Sequence, residues 1–138
     1  MILSFLGKYR EAGLLILRCG VGAMFVLHGA PKLLDGPEKW AALGGAMSHL
    51  GVTAVPALWG FLAALSECGG GICLVLGIAT RPAAIMMAGT MTVATVSHMM
   101  GDGSFLERLA EASHAIEALA VFLGLSLLGA GKYSLDGK

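Results

Sequence analysis

Four long apolar stretches make up most of this chain, and each contains ionisable side chains: Arg18 and His28 in the first, Glu67 in the second, His98 in the third, His114 and Glu117 in the fourth. Such residues are costly inside a bilayer and are retained where they face a protein interior, a cavity or a partner. Hydrophobic residues make up 57% of the 138 residues and charged residues 13%, with a mean hydropathy of +0.81. A soluble domain carries about 25% charged residues, so the pattern is that of a membrane protein with polar groups inside. The formal net charge is zero. No basic stripe is present to neutralise phosphates, which excludes a nucleic-acid partner.

A span needs roughly 20 apolar residues, and four of them account for nearly the whole chain as one domain, residues 1–138. The spans are expected at about 11–34, 55–78, 82–100 and 109–129, with residues 1–10 as an amphipathic lead-in. Asp35-Gly36-Pro37 breaks the first helix. Trp40, Leu43, Met47 and Leu50 then recur at helical spacing, which predicts a short helix in the membrane interface. Thr80-Arg81-Pro82 is a tight hairpin, Gly101-Asp102-Gly103-Ser104 a turn, and residues from Lys132 onward a polar tail. Short connections make neighbouring helices antiparallel. The expected fold is an all-α membrane protein, an antiparallel four-transmembrane-helix bundle with an interfacial helix after the first span. Lys8, Arg10, Arg18, Arg81, Lys132 and Lys138 lie on the side of the termini, against Lys32, Lys39 and Arg108 on the other. The positive-inside rule therefore puts both termini in the cytoplasm.

At 100° per residue, Arg18, Gly22, Phe25, His28, Gly29 and Lys32 fall within about 120° on one face of the first helix. Gly60, Ala63, Ala64, Glu67, Gly70 and Gly71 form a small-residue stripe around one acid on the second. His98 shares a face with Met87, Met91 and Thr95, and His114 shares one with Glu117. These faces predict a single pocket lined by His28, Lys32, His98, His114 and Glu117, with Glu67 as its floor. His28 and Glu117 would hydrogen-bond the polar edge of a bound ring and Glu67 would carry protons, giving His28, Glu67 and Glu117 a proton-transfer role. Arg18, Lys32 and His98 would complete the binding set, although an arginine near the inner end also suits headgroup contact. The opposing reading makes these groups interhelical hydrogen bonds that fix packing. A metal or haem, held by His28, His98, His114 and Glu117, is a further alternative. Cys19, Cys68 and Cys73 are buried inert thiols: Cys68 and Cys73 lie about 140° apart around one helix and cannot bridge. The methionines fit packing better than copper binding.

Four pieces of the chain carry a family resemblance. The first span reads Arg18-x3-Gly22-x2-Phe25-x2-His28-Gly29-x2-Lys32, and the second Glu67-x2-Gly70-Gly71-x5-Gly77-x2-Thr80-Arg81. Glu117 and the closing Gly129-x-Gly131-Lys132-Tyr133-Ser134-Leu135-Asp136 follow. In this order they resemble the DoxX family of small bacterial membrane proteins. The resemblance implies a four-helix inner-membrane protein associated with redox enzymes, including a thiosulfate:quinone oxidoreductase, and hence a quinone as the cofactor to consider. His114 matches no position of that signature. The cysteine pairs of the architecturally similar membrane thiol oxidases are missing, so thiol oxidation does not carry over. The function expected is a membrane subunit that binds a quinone or similar apolar redox partner, in contact with lipid and with a protein partner or a second copy. The alternative is a non-catalytic assembly subunit that anchors a partner enzyme.

Overall fold

The computed structural model describes residues 2–137, which form helices and turns with no strand among them. A stretch of 3-10 helix, Ser4–Tyr9, leads into α1 (Arg10–Leu34). Next come α2 (Pro37–Gly44), continued by a 3-10 segment Gly45–Leu50, then α3 (Pro56–Leu76), α4 (Thr80–Met99) and α5 (Phe105–Leu128). The expected punctuation holds at Asp35-Gly36-Pro37, where α1 stops and Pro37 occupies the first turn of α2.

α5 starts earlier than the apolar periodicity suggests. Ser104 Oγ accepts a hydrogen bond from the Glu107 amide, and the Glu107 carboxylate accepts one from the Ser104 amide at 2.7 Å. This reciprocal box fixes the helix start four residues before Leu109.

Among the described residues three helical stretches, Ser4–Leu34, α3 and α5, are long and apolar enough to cross a membrane, where four spans were expected. α4 has the length, 20 residues, but Thr90, Thr92, Thr95 and His98 dilute its hydropathy. Its threonines satisfy themselves locally. Thr92 and Thr95 donate to the carbonyls of Ala88 and Met91, at 2.9 and 2.8 Å, the bonding that hides a hydroxyl on a helix.

The four long helices pack in the order α1, α3, α4, α5, and the α2 segment lies across the first turns of α3 and reaches α4. Glycines permit the close approaches, as expected where packing rather than water drives helices together. A Cβ on Gly22 would sit 2.7 Å from the Gly71 carbonyl oxygen, and one on Gly60 would collide with the Trp40 carbonyl. α1 and α5 meet through their rings: those of Phe25 and Phe122 stack edge to face at 4.9 Å. These two, with Leu74, Met87 and Leu125, form the shared core.

The last residues, expected as a polar tail, fold back onto the helices. Arg18 is 1% exposed, and its guanidinium donates to the carbonyls of Ala130 (2.8 Å) and Tyr133 (2.6 Å). Asp136 accepts from the amides of Ala79 and Thr80, both at 2.9 Å, and its own amide donates to the Gly77 carbonyl. The Lys132 amide donates to Glu11. Gly77 makes room for this knot: it has φ +68°, and a Cβ there would strike the Arg18 guanidinium and Ser134.

Candidate functional site

The site is built where α1 crosses α3. Gly29 lets the two backbones touch at Glu67 and Cys68. Lys32 stands about one turn further along α1, and helical side chains lean toward the N-terminus of their helix. Its ammonium therefore reaches back to Glu67, at 3.0 and 2.7 Å from the two carboxylate oxygens. The Glu67 side chain is 6% exposed and that of Lys32 40%. A carboxylate so deeply placed requires a partnered, hydrogen-bonded arrangement, and Lys32 supplies it. The Trp40 indole N–H donates to the Lys32 carbonyl at 2.9 Å and its ring packs on Phe61, which fastens α2 over the end of α1.

Beside this ion pair lies a cavity of about 430 Å³ between α3 and α4, roofed by Leu43, Ala46 and Met47 of the α2 segment. Its walls are mainly aliphatic, with Lys32, Glu67, Ser66, Thr90 and His98 as the polar groups apart from Trp59. Ser66 and Thr90 bridge α3 and α4 by hydroxyls 3.1 Å apart. The size and the sparse polar lining are those of a site for a small apolar molecule with one polar edge. Chemically, the pair offers an ammonium donor and a carboxylate acceptor at one wall, with the imidazole of His98 elsewhere on the lining.

The predicted site residues are not gathered into one pocket. Lys32, Glu67 and His98 line the cavity; His28, His114 and Glu117 do not. His28 and His114 meet across the α1–α5 groove, ring centroids 5.7 Å apart, each 6.1 Å from Phe25. Both are exposed, as is Glu117 one turn along α5. The physical reason is that Phe25 and Phe122 fill the space between α1 and α5, leaving the histidines on its rim. Arg18 belongs to neither group, because the two terminal nitrogens of its guanidinium donate to the folded-back tail. Among the described residues no cluster of three or more His, Cys, Asp or Glu could hold a metal ion, and all three cysteines are free.

Sequence reasoning missed the Lys32–Glu67 pair, although a signal was present: Glu67 on a small-residue stripe needs a cation, and Lys32 shares the Gly29 face. It also missed Asp136, which caps the start of α4 from 56 residues away. The amides of Thr80 and then Ala79, with the nearby charge of Arg18, hold the Asp136 carboxyl below the usual carboxylate range.

The DoxX family profile matches residues 13–100, from α1 to the end of α4. A protein of Haemophilus influenzae described only as uncharacterized is 34% identical, over 96% of this chain and 95% of its own length. Inner membrane protein YphA of Escherichia coli is 31% identical, over 94% of this chain and 92% of its own. No solved structure matches significantly. Apolar helices long enough to span, a profile matched across the site and relatives aligned almost end to end make one conclusion: the chain is a bacterial membrane protein and belongs to the DoxX family.

Proposed function

We propose that this protein is an inner-membrane subunit that binds a quinone, or an apolar molecule with a similar carbonyl edge, in the cavity between α3 and α4. The observation that carries this reading is the Lys32–Glu67 pair at the wall of an otherwise aliphatic chamber of about 430 Å³. A quinone, when bound, supplies two-electron acceptance, and the electrons come from a partner protein, since no side-chain set here performs redox chemistry alone. Lys32 donates a hydrogen bond to the ligand oxygen. Glu67 orients the ammonium and exchanges a proton with it, and His98 passes protons toward the surface. The ring itself is held by leucines, methionines and alanines of α3, α4 and the α2 roof.

In this reading α4 crosses the membrane as the fourth span, because it packs along both α3 and α5. The α2 segment lies at the outer interface. Both termini are cytoplasmic, following the excess of basic residues on their side.

A second reading, a non-catalytic assembly subunit, draws on the same ion pair, since a bidentate Lys–Glu contact also ties α1 to α3. Purification in mild detergent followed by mass spectrometry of the extracted lipid separates the two. The native protein is expected to carry quinone in stoichiometric amount, and the double variant K32M/E67M to fold and lose it. Quinone absent from the native protein, or fully retained by the double variant, would sink the proposal.

A further inference from the structure

The groove between α1 and α5 presents a second group of polar residues that the cavity does not use. His28, His114 and Glu117 are all exposed on helices that are long and apolar enough to cross the membrane. Among the described residues no hydrogen bond links Glu117 to either histidine, and Phe25 and Phe122 close the space beneath them. The ring contacts set the register. His28 lies within about one helical turn of His114, ring centroids 5.7 Å apart, and Glu117 is three residues on, about 4.5 Å further along α5. Glu117 and His114 lean the same way along α5, so the carboxylate stays within about one turn of the two imidazoles. The result is one layer, about a turn thick, with two imidazoles and a carboxylate facing outward at membrane depth. A carboxylate left facing hydrocarbon is costly, so this face requires a partner.

We infer that this face joins two copies of the chain as a two-fold dimer, with Glu117 of each copy set against His28 and His114 of the other. The occupant follows from charge and depth. Two copies inserted the same way, related by a two-fold along the membrane normal, place equivalent residues at the same depth. The acid of one then meets the imidazoles of the other, as an isologous interface demands. The neighbouring surface suits close helix contact as well. Ser113 and Ala120 are exposed and Gly124 half-buried on the Glu117 face of α5, and a Cβ on Gly124 would meet nothing within 4 Å. Small residues of this kind let helices approach in lipid, with polar side chains adding hydrogen bonds.

Disulfide trapping in native membranes tests the dimer. Ala120→Cys is compared with Ile85→Cys, on the exposed face of α4, and with the parent chain carrying its own three cysteines. Oxidation is expected to convert A120C, and neither control, to a band of twice the chain mass. Adding Glu117→Ala should lower that yield about tenfold, the scale of the two symmetry-related interhelical polar contacts it removes. The native protein in lipid nanodiscs, free of any substitution, should weigh as two chains. A single-chain mass in nanodiscs overturns the inference. So does A120C cross-linking no better than I85C, an unchanged yield with E117A, or a trapped band containing a different protein.

Discussion

Lys32 and Glu67 show how much a single neighbour decides. Removing Lys32 alone leaves a buried carboxylate without its cation; breaking a fully buried pair from one side costs about 3–5 kcal/mol, and the loss here is smaller because the Lys32 side chain is 40% exposed. Replacing both partners by apolar side chains of similar volume removes the problem and is close to neutral. K32A is therefore expected to unfold markedly earlier in a detergent denaturation series, and K32M/E67M to unfold near the native protein. If the single and double variants lose the same stability, the two residues are not coupled. The sequence made Glu67 legible as a buried acid, because glycines and alanines flank it at helical spacing. Its partner was legible only as a choice, because Lys32 and His28 share the Gly29 face of α1. Choosing Lys32 over His28 depends on which side of α1 meets α3, and that is set by Gly29 lying against Glu67, a tertiary fact.

Among the elements, the α3–α4 turn and the segment after α5 depend on each other. Asp136 receives the Ala79 and Thr80 amides, doing for α4 what a side chain just before a helix normally does. Its carboxyl is held below the ordinary range, so the folded state binds this proton less readily than the unfolded chain. The stability it lends is present above the unfolded carboxylate pKa and is lost as pH falls through the lower, folded value. A thermal denaturation series from neutral to acid should show D136N losing less stability on acidification than the native protein. Identical profiles would mean that Asp136 does not cap α4 in solution. The helices themselves were readable from apolar runs and turn residues. Apolar periodicity put the start of α5 at Leu109, although Ser104 and Glu107 carry the capping-box signal for the earlier start; the tail contacts join residues too far apart for any local pattern to reveal.

Over the whole molecule, the cavity exists because the α2 segment bridges from α3 to α4 and roofs the gap between them. Gly89 lies on its lining, where a Cβ would meet nothing within 4 Å. G89L should remove the helix penalty of glycine, worth up to about 1 kcal/mol, while placing a side chain in the cavity. The expected outcome is equal or higher thermal stability together with loss of the co-purifying apolar ligand. Unchanged ligand content would show that the molecule binds elsewhere. The overall helical plan followed from composition and periodicity. The division of polar residues between cavity, groove and tail did not, because it depends on Phe25 and Phe122 holding α1 and α5 apart.

The buried Arg18 has a consequence for biosynthesis. Its carbonyl partners lie 112 and 115 residues downstream, so at about 5–20 residues per second they leave the ribosome roughly 5–25 s after it. Throughout that interval the arginine of the first helix lacks these two carbonyl acceptors, and lipid phosphates are the groups at that depth able to take their place. Completion of the fold is thus an exchange of a lipid contact for a protein one, made only when the segment after α5 has been synthesised.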